Sequence, residues 1–185
     1  MINVGGRTLS LEDFSEIVFN NEKIGLNSQA LEKMEASFQF LRNFSDQKLI
    51  YGINTGFGPM AQYKVSAENV LQLQYNLIRS HSSGSGNYLS PALVKALMLA
   101  RLNSLMQAHS GVHTDVAVVL KELINNNITP CIFEHGGVGA SGDLVQLAHL
   151  ALVLIGEGEV IVNGEPRPTA EIFKKFGITP LAVHI

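Results

Sequence analysis

Apolar residues recur at three- and four-residue steps through segment after segment of this chain, which restricts it to a mainly helical architecture. After Ser10, the residues Leu11, Phe14, Ile17 and Val18 share one helical face, and Asp13 completes a variant of the capping box. From about Ser28 to Phe44 the repeat is Leu31, Met34, Phe38 and Leu41. Ser66 is expected to cap a third helix carrying Val70, Leu73, Leu77 and Ile78. Ser90-Pro91 sets a cap and a first-turn proline ahead of a long helix predicted to reach toward His109, with Gly111 as its stop. A further helix from Asp115 to Ile124 ends in Asn125-Asn126-Asn127, and a strongly apolar one is predicted from Asp143 to Gly156. Strand signals are short: Lys48 to Ile53, Ile128 to Phe133, and a hairpin turning at Asn163-Gly164 between Val160-Ile161-Val162 and Arg167. The expected fold is mainly α with a few short β-strands and hairpins, and residues 1–185 read as a single domain.

Composition narrows the function classes. The chain is 46% hydrophobic and 16% charged, against roughly 25% charged residues in an average soluble domain. It can therefore build a sizeable core and keep apolar surface for a partner, and disorder is excluded. With 13 Lys+Arg against 16 Asp+Glu the net charge is −3, which is unsuited to a highly basic nucleic-acid binder. The single cysteine, Cys131, has no partner for an internal disulfide. Met1 to Leu9 is polar and carries no signal-peptide pattern. The longest apolar run, Leu144 to Ile155, is broken by Gln146 and His149 and falls short of the roughly 18 residues of a membrane span. A cytoplasmic protein with neither membrane nor nucleic-acid partner is expected.

Three polar, glycine-rich stretches interrupt the helical pattern: Tyr51 to Pro59 (YGINTGFGP), Ser80 to Asn87 (SHSSGSGN) and Glu134 to Asp143 (EHGGVGASGD). Each alone reads as a turn. Together, each with Tyr, His or Ser beside glycine, they point to one shared site. Gly137, Gly139 and Gly142 fit the spacing of a dinucleotide-binding loop, but Glu157 and Glu159 precede the next strand instead of closing it, and no further parallel units follow. Ser141 as a hydrolase nucleophile lacks the second glycine of the nucleophile elbow, because Asp143 stands there; as a helix N-cap it is ordinary. His109 and His113 are four apart, but Gly111 lies between them and no third zinc ligand is evident. His149 falls on the apolar face of its helix and reads as a satisfied core histidine.

Ala140-Ser141-Gly142 admits a further chemistry. If the backbone bends tightly, the Gly142 amide nitrogen can attack the Ala140 carbonyl carbon. Small neighbours permit that bend, and a bulky side chain at position 142 would obstruct it. Loss of two waters, one from the ring and one from Ser141, then yields a methylidene-imidazolone, an electrophile made from the chain itself.

In its setting the tripeptide is part of a longer likeness. GGVGASGDLVQLAHLALVLIGEGEV resembles the signature of the aromatic amino-acid ammonia-lyases, the family that deaminates histidine, phenylalanine and tyrosine. YGINTGFGPMA resembles that family's tyrosine loop, LIRSHSSGSG its substrate-selectivity loop, and ARLNSLMQAHSGVH the helix and turn between them. The likeness covers essentially the whole chain, with the motifs in family order.

The resemblance implies the N-terminal domain of a fumarase/aspartase-like helical fold, from a longer enzyme that assembles as a homotetramer. It implies that Ala140, Ser141 and Gly142 form the methylidene-imidazolone, that Asp143 supports the cyclisation, and that Tyr51 removes the substrate's β-proton. A free tyrosine has a pKa near ~10, so that role needs a phenolate held by donors. It further implies that Ser80, His81 and Gly58 meet the substrate, and that neither metal nor nucleotide takes part. Ser80-His81 favours L-histidine, converted to urocanate and ammonia, over tyrosine; the same pair also occurs in tyrosine lyases and in aminomutases with the same prosthetic group. A catalytically inert fragment serving assembly only is the alternative of another class. Two departures stand out. Val145-Gln146 replaces the family's usual Ala-Pro, and the chain is shorter than family members, so a complete pocket is not expected within it.

Overall fold

The computed structural model describes residues 1–45, 48–142 and 144–183. In chain order the elements are β1 (Ile2–Val4), α1 (Leu11–Phe19), β2 (Ile24–Leu26), α2 (Ser28–Ser45), α3 (Ala67–His81), β3 (Ser85–Tyr88), α4 (Pro91–Leu105), α5 (Asp115–Asn125), β4 (Thr129–Pro130), β5 (Phe133–His135), α6 (Leu144–Leu154), β6 (Glu159–Val162), β7 (Glu165–Pro168) and α7 (Thr169–Phe176). The mainly helical expectation holds.

The helix starts follow from capping chemistry. Ser10 Oγ accepts the Asp13 N–H at 3.1 Å, and the Asp13 carboxylate accepts the Ser10 N–H at 2.9 Å, so the box closes in both directions. Arg7 then grips both Asp13 oxygens at 2.6 and 2.7 Å and, with Ser10, holds the Asp13 carboxyl far below the usual range. Ser90 caps α4 through the Leu93 N–H at 3.4 Å, with Pro91 in the first turn.

The core lies where α4, α5 and α6 meet. Met98, Leu99 and Leu102 of α4, Leu120, Leu123 and Ile124 of α5, and Leu150 and Val153 of α6 are buried together. Ile17 of α1 and Met34 of α2 close it on one side, and Ile172 and Phe173 of α7 on the other. At roughly 1.5–3 kcal/mol for each large aliphatic side chain taken from water, this cluster is the dominant favourable term.

Three small sheets edge the helices: β1 with β2 in parallel, β3 with β5 antiparallel, and β4-β6-β7 antiparallel. The hairpin appears as read, turning through Asn163 (φ 53°) and Gly164 (φ 82°), both left-handed as a two-residue turn demands.

Several expectations fail locally. Lys48–Ile53 forms no strand. The buried Asn54 side chain donates to the Ser45 and Lys48 carbonyls at 2.8 and 2.7 Å and accepts the Ile50 N–H at 2.8 Å, winding the segment into turns. The long fourth helix ends at Leu105, before His109, because Ala108 turns left-handed (φ 62°). Gly111 serves contact instead: a Cβ there would lie 2.5 Å from Leu41 Cδ2 of α2. Ile128–Phe133 splits into two short strands in separate sheets. β1, β2, β3 and α7 lie outside the elements that the sequence pattern predicts.

Candidate active site

Two of the three glycine-rich stretches are stitched to each other. β3 pairs with β5 through Ser85–His135 and Tyr88–Phe133, and the Leu89 N–H donates to the Ile132 carbonyl at 2.8 Å. The Glu134 carboxylate accepts from the Asn87 N–H at 3.2 Å and from Asn87 Nδ2 at 3.0 Å. Glycine is required at this seam. A Cβ on Gly84 would fall 2.8 Å from Phe133 Cβ, and one on Gly136 would fall 2.8 Å from Val145 Cγ1 and 3.3 Å from Gly84 Cα.

Ala140, Ser141 and Gly142 are exposed, at the end of a loop leading into α6. The loop is pinched at its base: a Cβ on Gly137 would sit 2.6 Å from the Gly142 carbonyl oxygen. Gly142 has φ 72° and Gly139 φ 117°, conformations that L side chains rarely adopt. A Cβ on Gly142 would meet only the Gly137 oxygen, at 4.0 Å. The requirement for glycine at 142 is therefore in the dihedral angle, not in the crowding that the sequence suggests. Asp143 lies outside the described residues, and with it the N-cap reading of Ser141.

Ser80 and His81 close α3. His81 Nδ1 is 2.9 Å from the Leu77 carbonyl oxygen, which only accepts, so the ring donates through Nδ1–H. Ser80 Oγ lies 3.1 Å from the same nitrogen and itself donates to the Leu77 carbonyl at 3.1 Å. Held this way, His81 leaves Nε2 of the neutral ring as an acceptor, a detail that residue spacing could not supply.

Tyr51 belongs to the third stretch. Its ring is 65% exposed and meets Phe57 edge-on at 5.8 Å. The stretch is tied to α3 by Gln74 Nε2, which donates to the Gly52 carbonyl at 3.4 Å. Gly58, left-handed at φ 55°, opens a short 3-10 turn, Gly58–Met60, and is exposed. Among the described residues, no hydrogen bond or ring contact joins Tyr51 to His81 or Ser141, and none engages the Tyr51 hydroxyl. Two loops are thus in direct contact, and the third is anchored on the helix that ends in Ser80-His81.

His149 of α6 is the residue whose part in this region spacing did not reveal. It is buried, as a core histidine should be, yet its Nε2 accepts the Gly84 N–H of the Ser80–Asn87 stretch at 3.1 Å. Burial pushes its imidazole below the ordinary value.

The strand before Gly137 is β5, in a two-stranded antiparallel sheet with β3, so the parallel βαβ unit of a dinucleotide site is not formed. His113 packs edge-on against Phe38 at 5.0 Å and faces Asp115 at 3.2 Å. Among the described residues no cluster of three or more His, Cys, Asp or Glu could hold a metal ion, and no helix is long and apolar enough to cross a membrane.

Comparison with known proteins decides the family. The family model described as aromatic amino acid lyase matches residues 9–185. This chain is an aromatic amino acid lyase family member. It is 45% identical over 185 residues to a histidine ammonia-lyase of Shouchella clausii, covering all of this chain and 37% of that protein. It is 38% identical over 181 residues to a tyrosine 2,3-aminomutase of Chondromyces crocatus, covering 97% of this chain and 34% of the relative. A tyrosine aminomutase structure from Streptomyces globisporus superimposes with a TM-score of 0.89 at 34% identity, over 98% of this chain and 34% of that one. The chain thus spans little more than a third of the length of the curated relatives it matches. The lyase-family fold and the carbon–nitrogen lyase family anticipated from the three motifs are both borne out.

Proposed function

We propose that residues 1–185 are the N-terminal domain of an ammonia-lyase that eliminates ammonia from an aromatic L-amino acid, with L-histidine, giving urocanate, as the favoured substrate. The observation that carries the reading is the seam between the Ser80-His81 stretch and the Ala140-Ser141-Gly142 loop, made by β3 and β5 and by Gly84 on His149. It ties the stretch that carries a side chain able to select a ring to the stretch that carries a tripeptide able to cyclise.

The loop suits the prosthetic group. Its pinched base and left-handed Gly142 favour approach of the Gly142 nitrogen to the Ala140 carbonyl carbon, and exposure of the tripeptide leaves the product reachable by substrate. Two waters would leave, carrying the Ala140 carbonyl oxygen and the Ser141 hydroxyl, and Asp143 is assigned to assist. Once formed, the methylidene-imidazolone supplies an electrophile that turns the substrate amine into a better leaving group. The N-terminus of α6, directly after the tripeptide, adds positive potential where negative charge develops.

The remaining work falls to side chains. His81, with Nε2 as acceptor, can take the N–H of a substrate imidazole, and Ser80 fixes its ring orientation from behind. Tyr51 Oη is assigned to remove the β-proton, and Gly58 to leave room for substrate beside it. Since no described residue engages the Tyr51 hydroxyl, the donors that would hold a phenolate are assigned to the remainder of a longer, cytoplasmic, homotetrameric enzyme, so this chain alone holds an incomplete pocket.

A phenol O–H would also satisfy the His81 Nε2 acceptor, and the tyrosine 2,3-aminomutase is 38% identical; a tyrosine lyase or aminomutase is therefore the alternative. Intact mass tests the core of the proposal. The expected result is a deficit of two waters mapping to Ala140-Ser141-Gly142, abolished in Ser141→Ala. A chain of unmodified mass, both alone and within the longer enzyme, would leave an inert assembly fragment as the better reading. An amino-acid panel then separates histidine from tyrosine and elimination from migration.

A further inference from the structure

The turn between α3 and β3 must hold His81 in place, yet most of its bonds lead back to α3. The Ser82 N–H and Oγ both donate to the Ile78 carbonyl, at 3.2 and 2.8 Å, and the Ser83 N–H donates to the His81 carbonyl at 2.9 Å. The Gly84 N–H is the first to leave for another element, donating to His149 Nε2 of α6 at 3.1 Å. Phe133 of β5 packs on the His149 ring at 5.3 Å, tilted by 58°, and fixes its orientation. The fit leaves no slack: a Cβ on Gly84 would come within 3.0 Å of Nε2 and 2.8 Å of Phe133 Cβ.

From this geometry we infer that His149 is a positioning residue for substrate selection, its Nε2 locking the turn after Ser80-His81 onto the helix that follows Ala140-Ser141-Gly142. The inference rests on the ammonia-lyase reading above for what is selected. His149 reaches the substrate only through Gly84 and His81. It uses its single acceptor on the backbone of the selectivity stretch, three residues from His81. Burial, which disfavours the charged ring, keeps that acceptor available.

The test pairs His149→Leu, which keeps apolar volume but removes the acceptor, with His149→Gln, whose amide oxygen can replace it. Hydrogen exchange over residues 82–88 is expected to quicken about tenfold in His149→Leu, the effect of losing roughly one hydrogen bond, and to stay within about threefold of the parent in His149→Gln. In the longer enzyme, KM for L-histidine is expected to rise about tenfold in His149→Leu with a smaller change in kcat, while the two-water mass deficit stays intact. Unchanged exchange in His149→Leu, or no rescue by glutamine, would overturn the assignment. Should the leucine variant fail to fold, the unmodified chain still decides. NMR must then find His149 as the Nδ1–H tautomer with Nε2 coupled across the hydrogen bond to the Gly84 amide, and its absence overturns the link. A parent chain and enzyme without the mass deficit would overturn the lyase reading and the selective role with it, whatever the exchange result.

Discussion

Gly142 shows how much one dihedral angle can control. At φ 72° it occupies a region that costs an L residue roughly 1–2 kcal/mol, although a Cβ would find no atom closer than 4.0 Å. Gly142→Ala should therefore fold with little loss of overall stability while shifting the loop away from its left-handed bend at position 142, on which the proposed cyclisation depends. The expected outcome is a folded chain with most of the two-water deficit gone, read by intact mass beside a thermal melt. Full modification would show that the bend tolerates a right-handed residue and that the angle is incidental. Tyr51 is the contrasting case, since its residue type is plain in the sequence but its activation is not. Its side chain is 65% exposed and its hydroxyl has no partner among the described residues, so the base role proposed for it needs donors to hold a phenolate.

At the scale of elements, a buried lysine joins three helices with no carboxylate partner among the described residues. Lys95 of α4 is 4% exposed, and its Nζ donates to Asn21 Oδ1 at 2.9 Å and Asn127 Oδ1 at 2.8 Å. Both asparagines are left-handed (φ 58° and 52°) and lie just past the C-terminal ends of α1 and α5, where helix dipoles favour a cation. Lys95→Met should destabilise the chain by about 1–3 kcal/mol at neutral pH, because two part-buried, charge-assisted hydrogen bonds from the ammonium are lost; urea unfolding measures it. Burial, and then the charge of Lys23, push the Lys95 ammonium below its ordinary value of 10.5. As pH rises from the folded value to the unfolded one, the unfolded chain holds the proton longer, so this group makes stability climb across that alkaline window. Lys95→Met should flatten the climb, and an unchanged slope would mean the lysine is not desolvated.

The elements also show what the sequence could disclose. Helices with a full apolar stripe and a cap, such as α1 with its Ser10–Asp13 box, were legible because local chemistry and tertiary burial agree. β3 was not: Ser85–Tyr88 is polar, exposed and glycine-bearing, and becomes a strand only because β5 lies beside it. Lys48–Ile53 carries strand-like residues, but Asn54 supplies a better set of hydrogen bonds. The site divides the same way. Ser80, His81 and the Ala-Ser-Gly tripeptide could be named from motifs, whereas the Gly84–His149 bond spans 65 positions and leaves no local trace.

Across the whole molecule the unbalanced feature is an open apolar groove of about 370 Å³ between α2, α3, α4, α5 and α6. Leu41, Ile78, Leu147, Leu154 and Leu181 line it, with Arg42 and Arg101 at its polar margin and no described carboxylate in the lining. Water in such a groove is held poorly by the leucines, while the two guanidinium groups attract a negative charge. An aromatic sulfonate dye combines both requirements and should bind the isolated chain with enhanced fluorescence. Leu147→Glu should abolish that signal by placing a like charge among the apolar contacts. Arg42→Gln with Arg101→Gln should weaken it and remove most of its salt dependence, since screening acts on the charged share of the attraction alone. Equal binding by all three chains would assign the dye to the exposed Phe40 and Phe44 of α2 and leave the groove too shallow to hold a ring. The two sites differ in charge as well as shape: Lys48 already covers the Phe44 ring at 3.9 Å, so dye on α2 would respond to Lys48→Gln and be indifferent to the arginines.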